Sequence, residues 1–114
     1  MLKACHRLSS SRDISLLYKK GMRYGDPTTG MLFLFRENDL KESRATVVVS
    51  KKFHGQAVKR NLLERRIRAV LSEYIDRIHP KHDIIVSCTK PGKMLSYGDV
   101  KSSVKSALSK YYLI

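Results

Sequence analysis

A chain of 114 residues with 42% apolar content can bury one modest core, so residues 1–114 form a single domain with no room for a second and little material for a deep small-molecule pocket. Twenty-three Lys and Arg against ten Asp and Glu leave a net charge of +13. Self-repulsion of that size opposes compaction and persists where a polyanion neutralises it, so nucleic acid is favoured over a merely soluble surface.

The N-terminus is charged and lacks the apolar segment of a signal peptide. No stretch is long enough to span a bilayer, and the expectation is a cytoplasmic protein. Cys5 and Cys88 stand far apart without metal-type spacing; a disulfide and two free thiols both fit, and the reduced pair is expected. Ser10 and Asp13 have capping-box spacing, and Ile14, Leu17 and Tyr18 then recur on one face, which predicts a helix over residues 11–20 with Gly21 as its stop. Gly25, Asp26, Pro27 and Gly30 punctuate a turn. Residues 31–36 read as a strand with Met31, Phe33 and Phe35 on one face and Leu32 and Leu34 on the other, both faces being apolar.

A polar loop over residues 37–43 leads to a β-branched strand at residues 45–50, expected to pair back antiparallel on the strand before it. From Ala57 to Ile78 a long helical stripe is set by Leu63, Ile67, Val70, Leu71, Tyr74 and Ile78, with Pro80 beyond it as the stop. His79 and His82 flank that proline and read as surface residues of a loop, a weak metal pair. Residues 83–88 form another strand, Lys90, Pro91 and Gly92 turn the chain, and Ser96 with Asp99 caps a last helix whose apolar face is Val100, Val104, Ala107, Leu108 and Tyr111. A further strand is expected near residues 22–24. Helices alternating with a few strands indicate an α+β fold, a two-layer α/β sandwich with helices over one sheet face.

The densest basic cluster lies between Lys51 and Arg68, with seven Lys or Arg and one Glu. At 100° per residue, Asn61, Arg65, Arg68 and Ser72 fall in one narrow strip opposite Leu63, Ile67, Val70 and Tyr74. Such a helix buries one side and offers guanidinium groups on the other, and a guanidinium grips phosphate with two parallel donors. The free N–H groups at the helix start near Ala57 add a further anion site, extended by Lys51 and Lys52. A solvated helix face normally mixes charge signs, whereas this cluster has one acid among eight charges.

The run Val49-Ser50-Lys51-Lys52, followed by Ala57-Val58, Arg60-Asn61, Arg65 and Ile67-Arg68, resembles the signature of the bacterial ribonuclease P protein family. The resemblance spans the chain: Arg7-Leu8 before Asp13-Ile14, Tyr18-Lys19-Lys20-Gly21, Asp83-Ile84-Ile85-Val86 and the final helix all take family positions. Several positions depart from the pattern. One extra residue lies near His54, Leu62 replaces an Arg, Glu64 a frequent Lys, Arg66 an apolar residue, and Ile14 a frequent Phe.

The resemblance implies a four-stranded sandwich with a left-handed βαβ crossover, of the ribosomal protein S5 domain 2-like type. It also implies a subunit of the endoribonuclease that removes the 5′ leader of precursor tRNA, with Mg²⁺ held by the catalytic RNA and none by the protein. Lys51, Lys52, Lys59, Arg60, Asn61, Arg65 and Arg68 would then bind the catalytic RNA. Ile14, Tyr18, Phe33 and Phe35 would line the cleft for the single-stranded leader, although Phe33 and Phe35 suit core packing equally well. In agreement, no paired carboxylates and no nucleophile–base motif stand out, so no catalytic residue is assigned. The alternative is a non-enzymatic basic RNA-binding protein of the ribosomal or RNA-chaperone type. DNA binding would need a helix-turn-helix or a dimeric basic region, and membrane binding a basic helix with bulky exposed apolar residues.

Overall fold

The computed structural model describes residues 2–78, 81–111 and 113. Helix α1 (Ser11–Lys20) begins where Ser10 Oγ accepts the Asp13 N–H at 3.4 Å. It ends at Gly21, whose φ of −70° is open to any residue. What demands glycine there is closeness: a Cβ would lie 2.5 Å from the Leu17 carbonyl oxygen and 3.2 Å from that of Phe35. Gly21→Ala therefore forces the last turn of α1 open and presses its end against β2, and overpacking of this kind costs about 1–3 kcal/mol. A urea midpoint unchanged from that of the parent protein would refute the tight fit.

Strand β1 (Met22–Gly25) is the fourth strand expected near residues 22–24. It turns through residues 26–31 into β2 (Leu32–Glu37), closed by Gly30 N–H to Asp26 O at 2.7 Å, with Gly30 at φ +75°. Asp26 ties this turn to the last helix: its carboxylate accepts from Ser103 Oγ at 2.6 Å and from the Thr28 N–H at 2.9 Å. Burial alone would raise the Asp26 pKa, but the donors from Ser103, Thr28 and Thr29 outweigh it and hold the carboxyl below its ordinary value.

Strand β3 (Arg44–Val49) runs into helix α2 (Ala57–Tyr74), continued by a 3-10 turn at Ile75–Arg77. Pro80, expected to end this helix, lies outside the described residues. Strand β4 (His82–Cys88) and helix α3 (Tyr97–Lys110) complete the order, α3 opening with the reciprocal Ser96–Asp99 capping box that its spacing predicts.

The sheet order is β1-β2-β4-β3, which corrects the expected hairpin between β2 and β3. β4 stands between them, antiparallel to β2 and parallel to β3. Burial explains the placement. All seven β4 residues are buried, as a central strand covered on both faces requires, whereas β3 alternates half-buried and buried positions as befits an edge. The result is the expected α+β sandwich, its four-stranded sheet mixed. His82 is buried within β4, not on the surface as expected, and its intended partner His79 lies outside the described residues.

One sheet face carries Phe33, Phe35, Ala45, Val47, Ile84 and Val86 and is covered by Leu63, Ile67 and Val70 of α2 and Val100, Val104 and Leu108 of α3. The opposite face holds a smaller cluster of Leu34 and Ile85 under Leu17 and Leu8, with Ile14 and Val48 packed at its rim. Cys5 is exposed and Cys88 buried, both as free thiols, and burial pushes the Cys88 thiol up to about 11.

Candidate nucleic-acid interface

Helix α2 fills the crossover between parallel β3 and β4, so its apolar stripe is fixed on the sheet and its far side must face outward. Asn61, Arg65 and Arg68 are exposed there, as are Lys51, Lys52 and Lys59 at the approach to the helix. Phe53, 5% exposed, anchors the approach in the core, so the two lysines ride on a fixed turn. The first turn of α2 contains no acid and its N-cap, Gln56, provides no side-chain hydrogen bond. The positive end of the helix is thus left for an external anion.

Arg60 is placed differently from its neighbours. Its Nη1 donates to the carbonyls of His54 at 2.8 Å and Gly55 at 3.0 Å, so this guanidinium braces the loop that contains the extra residue. His54 joins the brace through Nδ1, which accepts the Gln56 N–H at 3.1 Å. Arg66 likewise turns inward, donating from Nη1 to the Leu95 carbonyl at 2.6 Å, and does not replace the cation absent at Leu62. Glu64 lies 3.4 Å from Arg68 and partly neutralises it.

Beside this ridge the second sheet face is only partly roofed. A groove runs along the free edge of β3, lined by Arg7, Leu8, Ser9, Thr46 and Arg68. Its floor at the edge is supplemented by the N-terminal segment, where the Leu8 N–H donates to the Ala45 carbonyl at 3.0 Å and Arg7 bridges Ala45 in parallel. Helix α1 borders the same sheet face, with Ile14 half-buried and Tyr18 40% exposed. Arg23 reaches up from β1 to donate to the Tyr18 carbonyl at 3.1 Å.

Phe33 and Phe35 do not belong to this face. They are 1% and 0% exposed and stack with centroids 6.1 Å apart inside the main core, so neither ring can meet a base. Alternation along β2 puts them on the α2–α3 side, so they pack the core and do not line the cleft where they were expected. The partly open face belongs to the even-numbered positions of β2 and β3, among them Leu32, Thr46 and Val48, together with Ile85 of β4. Arg44 was also missed: it sits on this face, donating to both oxygens of Asp83 at 2.9 and 2.6 Å and to Asp13 of α1 at 3.2 Å. The hydrogen bond it donates to Asp83 raises the Arg44 pKa above the ordinary arginine value. No signal short of knowing the strand order marks Arg44 as the link between α1 and the sheet.

The ribonuclease P family model matches residues 2–112. The chain belongs to the ribonuclease P protein family. It is 36% identical over 93 residues to the ribonuclease P protein component of Synechococcus elongatus, covering 80% of this chain and 75% of that one. To the corresponding component of Pseudanabaena it is 30% identical over 110 residues, covering 96% and 94%. Among solved structures, the RNase P protein of Staphylococcus aureus superposes with a TM-score of 0.80 at 27% identity, covering 95% of this chain and 96% of the other. The Thermotoga maritima RNase P protein, in complex with 1-(4-fluorophenyl)-2-thiourea, gives 0.76 at 30% identity over 91% and 98%.

As a member of the ribonuclease P family this chain is a component of a tRNA-processing ribonuclease. No helix among the described residues is long and apolar enough to cross a membrane.

Proposed function

We propose that this protein acts in the cytoplasm as the RNA-positioning subunit of ribonuclease P, with the catalytic RNA carrying the chemistry and its Mg²⁺. The observation that carries the reading is the outward ridge of Lys51, Lys52, Lys59, Asn61, Arg65 and Arg68 beside a partly open sheet face. The ridge meets the catalytic RNA; the face between α1 and the β3 edge takes the single-stranded 5′ leader of precursor tRNA. Cations between two RNAs reduce their mutual repulsion, so the complex forms at lower Mg²⁺ than the RNA alone would need. Arg60 contributes indirectly, by holding the loop ahead of α2 in shape.

The test is reconstitution with a bacterial ribonuclease P RNA at low Mg²⁺. Added protein accelerates release of the leader from precursor tRNA; binding without acceleration would leave a general RNA-binding module and defeat the proposal.

Tyr18 supplies a sharper check on the leader path. Base stacking on an aromatic ring is worth about 1–3 kcal/mol. Tyr18→Ala lowers the affinity of the reconstituted enzyme for precursor tRNA by that amount and leaves mature tRNA binding nearly unchanged. Equal losses for both RNAs would make the ring structural.

A further inference from the structure

Away from the ridge, the N-terminal 3-10 turn (Ala4–His6) brings together donors of a different kind. Cys5 Sγ, a ring nitrogen of His6 and a Glu42 carboxylate oxygen all lie within 4.8 Å of one another, the only such group of three or more among the described residues. His6 is 4% exposed and locked in place, because its Nδ1 lies 2.7 Å from the Ser43 carbonyl oxygen. A carbonyl can only accept, so Nδ1 carries the hydrogen of that bond and Nε2 is the free end of the ring. That end meets Asp76 Oδ1 at 3.0 Å and Glu42 Oε2 at 3.8 Å. Nε2 therefore points at two carboxylates, and either a proton or a metal ion on that nitrogen would join it to them.

We propose that Cys5, His6 and Glu42 form a zinc site whose fourth position is open to water, with Asp76 beside the histidine. The nitrogen–oxygen separation of 3.8 Å between His6 and Glu42 is near the edge of about 3.3 Å expected between ligands of a four-coordinate zinc with bonds near 2.0–2.1 Å. A thiolate and an imidazole select a borderline-soft ion over Mg²⁺, which prefers six oxygens. The Ser43 carbonyl is the outer support that a metal-binding histidine needs to fix its tautomer. Binding releases the Cys5 thiol proton to solvent, so affinity rises with pH. The ion joins the N-terminal segment to the residues before β3, two pieces distant in sequence, and Asp76 after α2 contacts the same histidine. It thereby fixes Arg7 and Leu8 along the β3 edge.

The experiment uses tag-free full-length protein stripped with a chelator, then titrated with Zn²⁺ against a chromophoric competitor and, separately, with Co²⁺. One Zn²⁺ binds per chain, unaffected by millimolar Mg²⁺, and Co²⁺ gives a thiolate charge-transfer band with the intense visible bands of a four-coordinate site. Trypsin cleavage after Lys3 and Arg7 slows when Zn²⁺ is present. Cys5→Ser and Glu42→Gln, both at solvent-accessible side chains, each weaken binding at least about tenfold. Cys5→Ser also abolishes the charge-transfer band, while circular dichroism shows the fold retained. Cys88→Ala changes none of these, since that thiol is buried in the core. Absence of saturable Zn²⁺ binding, or affinity unchanged in both variants, overturns the site and leaves His6 as an imidazolium paired with Asp76.

Discussion

Replacing Arg65 and Arg68 together with Ala lowers the slope of log affinity against log salt for the catalytic RNA by about 1.4–1.8, because each phosphate contact contributes about 0.7–0.9. Over a fourfold rise in salt the variant then loses about tenfold less affinity than the parent protein, starting from a weaker value at low salt. Both side chains are exposed on the outward strip of α2, so stability stays within about 0.5 kcal/mol. Glu64→Gln works in the opposite direction, releasing Arg68 from its ion pair and strengthening binding. An unchanged slope in the double variant would take the strip out of the RNA interface, whatever happens to the affinity at a single salt concentration.

The second large effect concerns Arg44. Its guanidinium grips Asp83 with two donors, while Asn38 gives Asp83 a third at 2.8 Å. The Arg44 side chain is 19% exposed and that of Asp83 9%, so removing the cation strands a carboxylate out of water. Arg44→Met therefore destabilises the protein by about 3–5 kcal/mol, measured by urea unfolding. The Arg44→Met/Asp83→Leu double variant recovers much of that loss, since an apolar pair of similar volume is often close to neutral. The Asp13 contact at 3.2 Å adds a functional arm: without Arg44, α1 keeps the Arg23–Tyr18 bond but loses its ion pair to the sheet, and discrimination for leader-bearing RNA falls along with stability. A single variant as stable as the parent would mean that water reaches Asp83 freely.

Much of this architecture was legible from local chemistry. Ser10 and Ser96 marked two helix starts because a hydroxyl three residues ahead of an acid satisfies N–H groups that nothing else reaches, and both oxygens accept there. The stripe of Leu63, Ile67, Val70 and Tyr74 gave α2 its buried side, and by subtraction the ridge. Strand order was not legible. β2 and β3 are neighbours in sequence and both apolar enough to pair; only the fully buried pattern of β4, visible after folding, says which strand belongs in the middle. The same ambiguity misplaced Phe33 and Phe35. When both faces of a strand are apolar, alternation tells which residues go together but not which helix covers them. Arg60 and Arg66 show the limit of counting charges, since two of the cations in the cluster donate to backbone carbonyls. The group around His6 draws on residues 5, 6, 42 and 76, a spacing that no linear motif describes.

The strand made last stands in the middle of the sheet, and this sets the order of events during synthesis. As the polypeptide emerges, β2 and β3 are available to each other long before β4 exists, and a premature hairpin between them would have to reopen to admit it. Pairing across such distances closes large loops and is slow, which prolongs exposure of apolar surface. Helix α2, tethered at both ends to strands that become neighbours only when Cys88 has been released, gains its fixed outward aspect at that moment. Chains halted earlier would carry the full run of cations from Lys51 to Arg68 with no platform to aim them, and would cling to any polyanion nearby.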